Sequence, residues 1–207
     1  AALLTYPIFV NDFMVFQIGA YALILGTIAL SLMLLAGYGG MVSLSQLTVA
    51  GIAGYMMAIF GDNNTEVMGL GWAWYITIPL AIGVASIAAA LIGAISVRTQ
   101  GIYTIMITLA IAVSFFYFVR QNYEVFNGFT GLTGIKPPVV LGVNLLSPHA
   151  FYYMSLTMAA GFFFAVVYCA KSTFGLTLQG VRDNPRRMQS LGYSVNGHKI
   201  FAHFLAG

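Results

Sequence analysis

The side chains able to do chemistry in this chain are few and unevenly placed. Lys171, Arg182, Arg186, Arg187 and Lys199 are five of its eight Lys and Arg, and all fall within 171–199. His198 and His203 are five apart, which is not the one-face spacing of a helical metal pair. The sequence shows no nucleophile–base pair and no glycine-rich phosphate loop followed by Lys and Ser or Thr. Catalysis, nucleotide hydrolysis, a metal and a cofactor are therefore not expected. What remains is recognition. Guanidinium groups pair with carboxylates or phosphates, and neutral hydroxyls and amides hydrogen-bond weakly and release. Ser43, Ser45, Gln46 and Thr48 are of the second kind and follow a glycine-rich break at Gly37–Gly40; Thr104 and Thr108 lie further on.

The elements that carry these residues are dictated by solvent. Of 207 residues, 60% are hydrophobic and 6% charged, with a mean hydropathy of +0.90, against about 25% charged in an average soluble domain. A soluble chain of this size could not hide so much apolar surface. Five apolar runs, at about 13–36, 43–60, 73–97, 102–119 and 150–170, are long enough or nearly so to cross about 30 Å of hydrocarbon, and a sixth opens near His198. Lipid offers no partner to open backbone groups, so the fold class is all-α, a polytopic transmembrane helical bundle in one domain, 1–207. The chain begins with Ala and ends inside an apolar run, so a piece of a longer protein, truncated at both ends, is expected. "AALLTYPIFVND" lacks the basic start and cleavage site of a signal peptide. One cysteine, Cys169, excludes an internal disulfide, and a net charge of +3 does not suggest nucleic-acid binding.

The basic cluster at 171–199 assigns that segment to the cytoplasm. Alternation then puts Arg98 inside, and Asp12, Asp62, Glu66 and the loop from Arg120 to Pro148 outside, although Arg120 and Lys136 lie there. Trp72, Trp74 and Tyr75 fall at the outer interface, where an aromatic belt belongs. Small residues crowd the third span, from Ala81 to Ala94, for tight packing within one subunit or between subunits. All charged residues fall at span ends or in loops, whereas ion-coupled carriers generally keep ionisable groups within their spans. Energy for uphill transport would have to come from another subunit.

The coupling candidate is the segment 171–197. Phe174, Leu178 and Val181 repeat at helical spacing. Asp183 or Asn184 suits the cap of a second short helix, Pro185 its first position, and Gly192 its left-handed end. Such an elbow, with Arg186, Arg187 and Gln189 beside Met188 and Leu191, suits a docking knob in a partner's groove, and it equally suits a loop whose arginines meet lipid phosphates. Ser45 and Thr48, three apart, would share a helical face and line a solute pathway, or satisfy neighbouring backbone. Thr108 and Thr104 pose the same alternative, with bonding to their own helix favoured. The glycine-rich loop after Arg120 is too long for a mere connector.

Four stretches carry a family resemblance. "STFGLTLQGVRDNPRRMQSLGY", through Ser172, Gly175, Leu178, Val181, Arg182, Asp183, Asn184, Leu191 and Gly192, resembles the cytoplasmic loop of ABC-importer permeases of the branched-chain amino-acid class; Pro185 and Arg186 are less usual there. "GYGGMVSLSQLTVAGIAGY" is similar to that family's Gly-Tyr-x-Gly-x-x-Ser-Leu-Gly-His segment, with Ser45 in place of Gly and Gln46 in place of His. "RTQGIYTIMITL" and "NGFTGLTGI" resemble two further family segments.

The resemblance implies a permease subunit of an ATP-driven importer for branched-chain amino acids or similar small polar solutes, in a prokaryotic inner membrane. Its partners would be a second permease, two ATP-binding subunits and an external solute-binding protein, with no nucleic acid. Coupling to the ATPase is expected from Arg182, Asp183, Asn184, Arg186, Arg187, Leu191 and Gly192. The translocation pathway is expected from Gly37, Tyr38, Gly40, Ser43, Ser45, Gln46, Thr48 and Thr108, and binding-protein docking from Gly128, Gly131 and Gly134. The alternatives are a urea- or amide-type permease of the same kind, and a secondary carrier or channel not coupled to ATP.

Overall fold

The computed structural model describes residues 2–61, 69–99, 101–132, 139–140, 143–144 and 147–207. Asp62, Glu66, Gly134 and Lys136 lie outside them.

The chain is helical: α1 (Ala2–Phe9), α2 (Asp12–Met14), α3 (Tyr21–Met33), α4 (Gln46–Phe60), α5 (Trp74–Ser96), α6 (Ile102–Gln121), α7 (Tyr123–Phe126), α8 (Pro148–Lys171), α9 (Thr173–Asp183), α10 (Pro185–Ser190) and α11 (Val195–Ala206). A two-residue antiparallel pair, β1 (Val139–Val140) with β2 (Val143–Asn144), interrupts the long loop. π-Helical turns at Val15–Ala20 and Leu34–Tyr38 flank α3 and make one continuous apolar element, Asp12–Tyr38. Among the described residues, that element, α5, α6 and α8 are the four helices long and apolar enough to cross a membrane.

The run at 43–60 departs from expectation. Its helix, α4, has only 15 residues, about 22 Å at 1.5 Å per residue. Ser43–Ser45 drop out of it because the two hydroxyls bond each other at 2.8 Å and the Ser45 amide turns to the Ser43 hydroxyl at 3.4 Å. Serine side chains that offer the backbone such partners compete with helix formation. The complete spans visible are thus four, with α4 a shorter apolar helix.

The chain divides into two compact units. Unit 1 comprises Ala1–Leu30 and Pro137–Tyr168. Its core is Val15, Ala20 and Tyr152, packed with Tyr6, Leu23 and Leu156. The Tyr152 hydroxyl donates to the Leu3 carbonyl at 2.8 Å, which meets the requirement that a buried phenol find an acceptor.

Unit 2 comprises Ser31–Lys136 and Cys169–Gly207. Here α5 packs against both α4 and α11. Ala81, Ala85, Ala89 and Gly93 recur every fourth residue and are all buried. Ala85, Ala89 and Ile92 meet Val49 of α4, while Gly93 lies so close to α11 that a Cβ there would stand 2.6 Å from the His203 Cβ. The small-residue stripe therefore serves packing within the chain. A second cluster, Leu35, Met41, Leu178 and Ala202, joins the end of the first apolar element to α9 and α11. A third, Ile59, Val119 and Phe126, joins the ends of α4, α6 and α7.

Unit 2 also brings together segments that alternation assigned to one side. Gly39–Val42, Thr99, Gly101, Arg182, Pro185 and Lys199 line one cavity of about 170 Å³. At the other end, Leu70 and Trp72 amides bond the Ile59 and Phe60 carbonyls, and Arg120 shares a pocket with Gly128 and Gly131.

Overpacking a filled interface costs about 1–3 kcal/mol. Gly93→Ala is expected to lower the unfolding temperature of the detergent-solubilised protein. Gly83→Ala, on an open face of the same helix with nothing within 4 Å of the new Cβ, should leave it unchanged or raise it.

Candidate functional site

The basic segment folds as two capped helices. Ser172 caps α9, its hydroxyl accepting from the Gly175 amide at 3.3 Å. Leu178 and Val181 of α9 are fully buried. Asn184, not Asp183, caps α10: its side-chain oxygen accepts from the Arg187 amide at 3.0 Å, with Pro185 at the first position. α10 ends in a Schellman turn, in which the Gly192 amide bonds the Gln189 carbonyl at 2.9 Å and the Tyr193 amide bonds the Met188 carbonyl at 3.0 Å. Gly192 takes φ +87°, which suits glycine at that position. Short-range hydrogen bonds thus set the start of α9 at Ser172 and both ends of α10 at Asn184 and Gly192.

Its side chains divide by direction. Met188 turns inward against Gly180, where a Cβ would meet the Met188 sulfur at 2.9 Å. Arg186, Arg187 and Gln189 are exposed, and Leu191 is 64% exposed. Among the described residues, the guanidinium groups of Arg186 and Arg187 have no side-chain partner. The result is an apolar anchor beside a basic rim.

Arg182 points the other way. Its Nε donates to Asp183 Oδ1 at 2.8 Å, and its Nη1 donates to the Gly37 carbonyl. The helix ends at Tyr38, so that carbonyl lacks a helical donor above it, and the guanidinium supplies one. The Arg182 stem lies on Gly40, which holds φ +65°; a Cβ there would come 2.5 Å from the Arg182 Cγ. Gly39 is bound by a different limit, since a Cβ would stand 2.7 Å from the Leu35 carbonyl oxygen. That carbonyl also takes the Met41 amide at 3.0 Å, closing the turn. The glycine doublet is thus a backbone-to-backbone and backbone-to-arginine contact.

The polar residues expected along a pathway are mostly engaged elsewhere. Ser43, Ser45 and Gln46 are buried. Thr108 is fully buried, shares its hydroxyl proton between the Thr104 carbonyl at 3.0 Å and the Ile105 carbonyl at 3.1 Å, and accepts from the Leu44 amide at 3.2 Å. Thr104 bonds the Thr99 carbonyl at 3.1 Å. These hydroxyls staple the non-helical 42–45 segment and the α5–α6 turn. Tyr38 packs into the Leu35–Leu178 cluster. Ser45 precedes α4 while Thr48 sits within it, so the two do not form one polar helical face. Thr48 alone of the set borders an open groove of about 380 Å³ between α4 and α6, whose walls include Leu44, Leu47, Tyr55 and Phe116.

On the outer-assigned side, Gly128 takes φ +55° against the Tyr123 ring and Gly131 takes φ +68°. Asn127 Nδ2 donates to the Gly131 carbonyl at 3.0 Å, fixing the turn. Gly134 is outside the described residues. His198 stacks on Phe174, ring centroids 6.0 Å apart, and His203 is buried beside Gly93. Sequence reasoning missed two features: the close approach at Gly39, signalled only by the Gly-Gly doublet, and the seating of Arg120 between Phe116 and Phe129. Phe116 precedes Arg120 by one helical turn, but Phe129 is brought in by the loop.

A residue other than glycine in the left-handed region costs about 1–2 kcal/mol, and at position 40 the clash with Arg182 adds to it. In a double-mutant cycle followed by unfolding, Gly40→Ala should therefore cost less in an Arg182→Ala background than in the native chain. Equal costs in both backgrounds would place Arg182 away from Gly40.

Residues 14–207 match the family described as "Branched-chain amino acid transport system / permease component". No curated protein and no solved structure matches the chain. The family match takes in the basic elbow, the glycine break, α5, α6, α8 and all but the first two residues of Asp12–Tyr38, and on that extent the chain belongs to the permease-component family of branched-chain amino acid transport systems.

Proposed function

We propose that this chain is the membrane-embedded subunit of an ATP-driven importer for branched-chain amino acids or closely similar small polar solutes. In this reading it pairs with a second permease, two ATP-binding subunits on the cytoplasmic side and a solute-binding protein on the other, in a prokaryotic cell membrane. α4 is a fifth, shorter crossing and α11 the opening of a sixth. The segment 171–197 faces the cytosol, on the excess of Lys and Arg it carries.

The observation that supports the reading is the Arg182 contact. The exposed elbow, with Leu191, Arg186 and Arg187, has the make-up of a docking knob, an apolar anchor ringed by cations that pair with rim carboxylates. Directly behind it, Arg182 grips the Gly37 carbonyl and covers Gly40. A pull on the elbow thus reaches the break between the first apolar element and α4, where backbone is already irregular. Irregular backbone at membrane depth persists where it lines a cavity or is shielded by protein, and broken helices often carry transport sites. In this cycle ATP binding draws the partner ATPases together, the elbow follows, and the glycine break re-angles α4 against α6 to open and close the groove that Thr48 borders. The chain supplies no chemical step of its own.

The two halves of the elbow should separate in function. In proteoliposomes holding the assembled transporter, Leu191→Asp is expected to release the ATP-binding subunits, since a truncated or charged anchor at an interface costs about 2 kcal/mol or more. Arg182→Ala should keep the subunits bound yet lose solute stimulation of ATP hydrolysis. Native stimulation in Arg182→Ala would remove the proposed route.

A further inference from the structure

Arg120 closes α6, in the last turn where the helix dipole favours a cation. Its guanidinium carbon lies 4.3 Å from the Phe129 ring centroid and 5.3 Å from that of Phe116. Two aromatic rings so placed fix the plane of the group without using its N–H donors. Arg120 is half-buried, and among the described residues no carboxylate or carbonyl accepts from it; Glu124, one turn on, makes no ion pair with it. A guanidinium held by two rings on the wall of a pocket can present its N–H donors to an anion there, and the planar fork of arginine matches a carboxylate.

The surroundings set the size of that anion. Arg120 faces a pocket of about 300 Å³ closed by Tyr55, Phe116, Phe129 and the Gly128–Gly131 turn. This is the small end of the range for ligand pockets, about 300–1,000 Å³. Tyr55, Phe116 and Val119 also line the apolar α4–α6 groove, so the two cavities share a wall. A fixed cation therefore stands at one end of a continuous surface and apolar side chains run along the rest, with the Thr48 hydroxyl further in.

We propose that Arg120 is a carboxylate-binding site for the transported solute on the outer side of the permease, taking the charged head of an amphipathic acid while its apolar tail lies in the α4–α6 groove. This rests on the importer reading above and adds to it the side chain and the pocket that take the solute's charged end, favouring acids over neutral amides.

The test uses the full-length chain in phosphatidylcholine nanodiscs, with Cys169→Ala and Thr130→Cys, so that a maleimide reports on the pocket rim. L-Leucine and 4-methylpentanoate are expected to slow labelling, and 4-methylpentanamide, which lacks the charge, is not. Arg120→Gln should weaken protection about tenfold or more, the loss of one charge-assisted pair. Arg120→Lys, judged on size-exclusion profile to be folded, should retain part of it. Protection by the amide equal to that by the acid would overturn the site. So would full protection in Arg120→Gln, or slowed labelling produced by phosphatidylglycerol alone, which would assign the guanidinium to lipid phosphate. ATP-dependent leucine uptake by the assembled native transporter is measured alongside. Uptake without protection sinks only the Arg120 site; protection with uptake indifferent to ATP sinks the importer reading and leaves the site standing.

Discussion

One arginine joins the basic elbow of unit 2 to its glycine break. Arg182 donates to the Gly37 carbonyl, binds Asp183 and lies on Gly40. The contact works only because the chain is glycine on one side and rigid on the other. Gly40 leaves room for the arginine stem and tolerates a left-handed backbone. Val181, fully buried one residue earlier, fixes the angle at which α9 presents Arg182. Hydrogen bonds that involve a charged group are roughly twice as strong as neutral pairs, and this one replaces the donor that a helix ending at Tyr38 fails to provide. The exposed elbow and the break in the first apolar element are thereby neighbours in space although they are far apart in sequence.

The rest of the unit is arranged so that this junction sits on something firm. Lipid offers no hydrophobic drive for helix association, so contact must come from close approach. α5 achieves it with Ala81, Ala85, Ala89 and Gly93, which let α4 and α11 come against it. α11 also shares the Leu35–Leu178–Ala202 cluster with α9 and the π-helical turn. The buried hydroxyls extend the same logic. Thr108 ties α6 to the 42–45 segment, and Thr104 ties it to the turn after α5. The irregular backbone between Gly39 and Ser45 is thus held by both α9 and α6, each returning from later in the sequence.

Much of this was legible in the residues. Apolar length gave the helices of Trp74–Ser96, Ile102–Gln121 and Pro148–Lys171 nearly to their ends, because lipid leaves the backbone little choice. A cap at Asp183 or Asn184, Pro185 at the helix start and Gly192 at its end were equally readable, since each acts locally, while the Ser172 cap was not read from the sequence. The site was less legible. Serines after a glycine break suggested a polar lining; Ser43, Ser45 and Thr108 are buried, and Thr48 borders an open groove. Arg182 suggested a docking charge; its side chain stays exposed while its Nη1 donates to the Gly37 carbonyl, and nothing in the local spacing distinguishes an arginine that grips a carbonyl 145 residues away. Arg120 told the same story, its second aromatic partner arriving from a loop. Contacts that depend on tertiary return of the chain leave no period in the sequence.

The claim that the elbow and the glycine break move as one piece can be measured directly. Spin labels at Ser190, on the elbow, and Val42, exposed just beyond Gly40, report the distance across the Arg182 contact in the assembled transporter. Trapping ATP should leave that distance unchanged in the native chain and change it in Arg182→Ala. A native chain whose Ser190–Val42 distance shifts on ATP trapping as much as the variant's would show that the elbow slides past the break, and that Arg182 carries no motion between them.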